Sequence, residues 1–135
     1  MPEIECFWAE ELPNLSENLD NEGHPLWNIG NRGPACKASD LPVGAVRKIL
    51  LGPDTENNPP QWKVGPDGLC LAVETPAGLW IMDHQSSQGG FWYRNALDPN
   101  IKPGDKVNLT VLPSIRIHAN KEYHAILQNG KLIEV

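Results

Sequence analysis

Thirteen prolines and twelve glycines interrupt this chain of 135 residues every few positions, and no other feature limits its folding more strongly. Proline fixes φ and removes a backbone donor, and glycine weakens any regular element that contains it. Long helices are therefore excluded, and short segments joined by turns are favoured. The length fits a single domain spanning residues 1–135. Folding at this size buries roughly two-thirds of the surface that the unfolded chain exposes, so neither disulfides nor a metal is needed for stability.

From Gln61 onward, short apolar or alternating segments are separated by turn-forming residues. Trp62–Val64 and Leu69–Glu74 flank Gly65-Pro66-Asp67-Gly68 and predict a hairpin. Thr75-Pro76-Ala77-Gly78 then turns the chain into Leu79–Asp83, and the polar stretch His84–Gly90 separates this from Phe91-Trp92-Tyr93-Arg94. Further strands are expected at Val107–Leu112, Ile115–His118, Tyr123–Leu127 and Lys131–Val135, the last two joined through Asn129-Gly130, a strong two-residue hairpin signal. Residues 61–135 thus read as a β-meander core. One short helix is expected near residues 40–51: Ser39 or Asp40 can cap it, Pro42 fits its first turn, and Leu41, Ala45 and Ile49 form a stripe. The rival reading makes Ala45–Leu51 a strand, because Val and Ile run together and Gly44 weakens a helix. The fold class is mainly β: a small antiparallel β-sandwich, or a rolled or partly open barrel, with one short helix.

Charge divides the chain. Seven carboxylates, from Glu3 to Glu22, precede the first cation, Arg32; from Arg32 onward eleven Lys and Arg face ten Asp and Glu, so the net −6 belongs to the N-terminal quarter. Residues 1–33 read as an acidic N-terminal arm, with Ile4–Trp8 as a candidate edge strand. Such a balance disfavours nucleic-acid binding, which depends on cations displacing counterions, and attraction to an anionic membrane. The first twenty residues lack a cationic start and an apolar centre, so no export signal is expected and a cytoplasmic location follows. Cys6, Cys36 and Cys70 are odd in number and widely spaced, which favours buried free thiols over a disulfide framework or a zinc site.

The motif order in residues 62–135 resembles a group of small uncharacterised proteins encoded by tailed bacteriophages and prophages. The resemblance is carried by Gly65-Pro66-Asp67-Gly68, Thr75-Pro76 with Gly78, Trp80 and Asp83, then Trp92 and Arg94, Pro113-Ser114-Ile115, Tyr123-His124 and Asn129-Gly130. Ala125 stands where the group is expected to carry glycine. The resemblance implies a viral or environmental origin, with a place in the host cytoplasm or the virion, and brings no activity, cofactor or ligand with it.

Asp83, His84, His118 and His124 are the candidates for catalysis, because carboxylate and imidazole can form an acid–base pair or bind a metal. No H-x-x-x-H or H-E-x-x-H spacing supports a metal, and none is expected; nor is a cofactor. Ser86-Ser87 lacks a nucleophile elbow, Ser114 after Pro113 reads as a turn residue, and Cys70 between two leucines reads as structural. Asn18, Asp20 and Glu22 imitate half of an EF-hand, but Ile29 occupies the position that requires a bidentate Glu. Aromatic content points instead to binding: Phe91, Trp92, Tyr93 and Arg94, with Tyr123 and His124, form the candidate surface, since neighbours on a strand alternate faces and one face can be exposed. The leading expectation is a non-enzymatic β module that binds a protein partner or itself. The alternatives are a small hydrolase or metal-dependent enzyme using the Asp/His cluster, and an acidic arm acting as a DNA mimic.

Overall fold

The computed structural model describes residues 3–49, 64–84, 92–117 and 122–135. Among these described residues twelve short strands follow one another: β1 (Glu3–Glu5), β2 (Phe7–Trp8), β3 (Glu10–Glu11), β4 (Leu26–Asn28), β5 (Cys36–Lys37), β6 (Ala45–Ile49), β7 (Cys70–Thr75), β8 (Gly78–Ile81), β9 (Tyr93–Arg94), β10 (Val111–Ile117), β11 (Tyr123–Gln128) and β12 (Lys131–Glu134). They form three open sheets ordered β1-β12-β11-β10-β9, β2-β6-β7-β8 and β3-β4-β5, and none closes into a barrel. The mainly β expectation holds, and the arrangement is that of a small sandwich. All strand pairs are antiparallel except β2 with β6, which run parallel.

The five- and four-stranded sheets face each other across the main core. Val46, Leu71, Val73, Trp80 and Met82 meet Val111, Ile115, Tyr123, Ala125, Leu127 and Leu132 there. A second core of Phe7, Ala9, Trp27, Ile29, Leu41 and Ala45 joins the four-stranded sheet to the small one.

The expected acidic arm is instead woven into this framework. Cys6 and Trp8 face the main core while Phe7 and Ala9 face the second, as strand alternation requires when both faces are covered. Phe7 and Ala9 donate to the Gly44 and Val46 carbonyls, whereas Cys6 and Trp8 donate to those of Gly130 and Asp105. β1 and β2 are the outermost strands of their sheets, as expected of an edge, but Cys6–Ala9 is buried and hydrogen-bonded on both sides rather than exposed. Removing residues 1–23 would therefore take away three strands as well as the carboxylates.

The helix expected near residues 40–51 is also corrected. Ala38–Asp40 is a single 3-10 turn, and Ala45–Ile49 is β6, paired with β7 through Val46↔Val73 and Lys48↔Leu71. Gly44 adopts φ +99°, and a Cβ there would lie 2.7 Å from the Glu5 carbonyl oxygen, so the chain breaks at 44 and enters the sheet directly. No α-helix occurs among the described residues.

The C-terminal hairpin follows its sequence signal: Asn129 and Gly130 both take positive φ, and Gln128 pairs with Lys131. The expected division at Pro113 is absent. β10 runs through it, with a cis Leu112–Pro113 bond and a register shift that sets three residues, 112–114, opposite Ile126. Of the hairpin expected before β7, Trp62 and Lys63 lie outside the described residues; the closing turn is present, with Gly65 N–H donating to the Leu69 carbonyl at 2.8 Å.

Candidate functional site

The edge strand β9 gathers most of the candidate residues. Arg94 sits at its end with only 2% of its side chain exposed. Its Nε donates to Asp83 Oδ1 at 2.9 Å, Nη1 to Asp67 Oδ2 at 2.8 Å and Nη2 to Asp67 Oδ1 at 2.7 Å. The two remaining donor directions are taken by the Asn95 and Leu69 carbonyls, each at 3.0 Å. All five N–H groups of the guanidinium are therefore occupied. Asp67 also accepts from the Leu69 and Leu97 backbones, and Asp83 Oδ2 accepts from Leu71 N–H at 2.9 Å. Burial acts to raise the Asp67 pKa, but the bonds from Arg94, Leu97 and Leu69 outweigh it and hold it down to about 2. Burial opposes the charge on Arg94 too, and the two carboxylates overcome that and raise its pKa.

This arrangement is a clamp. It ties the turn after Gly65, the end of β8 and strand β9 together, and it corrects two expectations. Asp83 is not a free base, and Arg94 offers no donor to a ligand. Gly65 is required beneath it, because any Cβ there would collide with the guanidinium.

Beside the clamp an open concavity of about 490 Å³ is lined by Val64, Pro66, His84, Trp92 and Tyr93, with Asp83 and Arg94 as its floor. His84 stacks on Trp92 at a centroid distance of 4.8 Å, and Trp80 meets both rings edge-on at 5.6 and 5.2 Å. His84 Nδ1–H donates to the Ile81 carbonyl. Burial lowers the His84 pKa, although that bond and Asp83 act in the opposite direction, so the neutral ring is favoured and Nε2 is left as an acceptor. Trp92 Nε1 donates to the Ser114 carbonyl at 3.3 Å. Tyr93 points the other way along the strand and is 80% exposed.

The remaining candidates separate. Tyr123 belongs to the main core, not to a binding surface; burial, assisted by Glu134 and Cys6, pushes its hydroxyl up to about 12. His124 lies on the outer face of β11, where Nε2 and Ser114 Oγ are 2.7 Å apart. Such a pair can activate a hydroxyl, yet no carboxylate orients the imidazole among the described residues. His118 and Phe91, like Ser86 and Ser87, lie outside the described residues. Among the described residues no three His, Cys, Asp or Glu side chains converge as metal ligands.

Sequence reasoning missed two partners. Asp67 was visible only as a turn former, and its role required knowing that Arg94 would be buried. Ser114 reads in the sequence as a turn residue, yet its hydroxyl lies 2.7 Å from His124, which the ladder pairs with Arg116. A further hollow of about 240 Å³ between Trp8, Glu10, Trp27 and Lys48 is floored by nearly covered indole rings.

No protein family, curated protein or solved structure matches this chain. No helix of the described residues is long and apolar enough to cross a membrane.

Proposed function

We infer that this chain is a partner-binding β module whose contact surface is the aromatic concavity beside β9. One observation carries the reading: Asp67, Asp83 and Arg94 are consumed by mutual bonding, while Tyr93 and Val64 beside them remain open to solvent. An active site keeps its acid and base available to substrate, whereas a docking site keeps large rings at hand. The phage-like motif order of the C-terminal half agrees with a small accessory module that acts on a host protein, on a virion component or on a second copy.

Selection from a displayed peptide library against the full chain, with counter-selection against Tyr93→Ala, tests this reading. A recurrent motif that loses binding to the variant is expected. Enriched peptides that bind wild type and Tyr93→Ala equally would overturn it.

The 2.7 Å contact between Ser114 and His124 favours a second reading, a small hydrolase built on that pair. It requires that a fluorophosphonate probe label the native protein and fail to label Ser114→Ala.

A further inference from the structure

We propose that the concavity beside β9 is a cation site, accepting the arginine or lysine side chain of a protein partner beside the exposed Tyr93 ring. This deepens the partner-binding reading and rests on it.

Charge is the first support. Asp83 and Arg94 on the floor balance each other, and Asp67 beneath them, bonded to the same guanidinium but not lining the hollow, leaves the three-residue clamp with a net −1. No cation other than Arg94 lines the concavity among the described residues. An incoming cation completes the balance, and the chain's net charge of −6 favours its approach.

The direction of the available hydrogen bonds is the second support. Arg94 has no free donor, and Trp92 Nε1 is engaged by the Ser114 carbonyl. An anion would find neither. His84, held by its Nδ1–H bond to Ile81, presents Nε2 as an acceptor, which suits the N–H of a guanidinium or ammonium. Aromatic faces supply the third: a cation within about 6 Å of a Trp or Tyr ring is attracted by the ring quadrupole. The volume, about 490 Å³, has room for such a side chain with part of its backbone.

The test uses N-acetylarginine methylamide, its neutral isostere N-acetylcitrulline methylamide, and N-acetylproline methylamide. Each is titrated into the full chain while the indole N–H and histidine signals are followed by NMR. The arginine probe should give saturable shifts at Trp92 and His84, with affinity about fivefold above the citrulline probe, and its binding should weaken with salt. Tyr93→Ala, at a site too exposed to affect folding, should lose most of that preference. Equal affinity for arginine and citrulline, or an arginine preference that survives Tyr93→Ala, would overturn the proposal. Tyr93-dependent binding of the proline probe alone would also overturn it while leaving the partner-binding reading intact.

Discussion

Replacing Arg94 by methionine keeps an unbranched stem that reaches as far as Nε and removes the charge and all five donors, which makes the clamp the most informative point to perturb. Arg94→Met leaves Asp83 and Asp67 behind with 6% and 11% of their side chains exposed. Removing one partner of a buried pair costs about 3–5 kcal/mol, because the remaining charge is uncompensated. Here two carboxylates are stranded, so a loss of about 4 kcal/mol is expected. With a urea m-value of about 2 kcal/mol/M for a domain of this size, the midpoint should fall by about 2 M. Tryptophan fluorescence is a suitable readout, since Trp80 and Trp92 pack beside Asp83 and Arg94. Arg116→Met is the control: its ion pair with Glu122 spans 3.5 Å and 55% of its side chain is exposed, so a cost under about 1 kcal/mol is expected. Adding Asp83→Asn and Asp67→Asn to Arg94→Met should recover part of the loss, because the stranded charges are then gone. If Arg94→Met costs no more than Arg116→Met, or if neutralising the carboxylates lowers stability further, the clamp is not what holds β9.

Acid should expose the same cluster. Asp67 has a folded pKa of about 2 against an ordinary 3.8. Its contribution is full above about pH 5 and is lost as pH falls through 4 towards 2; it amounts to about 2 kcal/mol before screening at its exposed edge reduces it. Urea midpoints of Asp67→Asn should vary less with pH across that window than those of wild type. Gly65→Ala, which drives a Cβ into the Arg94 guanidinium, should cost several kcal/mol. Gly68→Ala, with φ +76° but open space around it, should cost only about 1 kcal/mol, as chemical denaturation of both variants will show. Burial pushes the Cys6 and Cys70 thiols up to about 12 and about 11, so a thiol reagent at pH 8 should titrate at most Cys36 quickly until denaturant is added. Deleting residues 1–11 should abolish cooperative unfolding, since Cys6–Ala9 hydrogen-bond on both sides and bury side chains in both cores.

Local chemistry was legible in the sequence; distant pairing was not. Asn129-Gly130 and Thr75–Gly78 form the turns their residues call for, because the φ values and the Thr75 side-chain bonds depend only on neighbours. Leu41, Ala45 and Ile49 have helical spacing, yet Ala45 and Val46 also alternate between two cores, and that second pattern decides once β7 and residues 6–9 lie alongside. The run Cys6-Phe7-Trp8-Ala9 is apolar at every position, which fits a strand covered on both faces, but the flanking glutamates gave it the look of an exposed edge. At the site, the aromatic residues and Asp83 with Arg94 were visible as candidates. Their division into clamp and surface was not, because Asp67 and Arg94 are 27 residues apart and meet only in the folded chain.

The clamp and the concavity are mechanically one device. β9 has two residues and touches the rest of its sheet through Val111↔Arg94 and Leu112↔Tyr93 alone, a ladder too short to hold an edge strand by itself. Arg94 supplies the missing restraint. Because neighbours on a strand point to opposite faces, fixing Arg94 inward also directs Trp92 inward, where its indole reaches Ser114, and Tyr93 outward. The rings are thereby ordered before any partner arrives, which removes part of the entropy cost of binding. A variant that loosens the clamp without unfolding the chain should therefore weaken partner binding, although Arg94 itself touches no ligand.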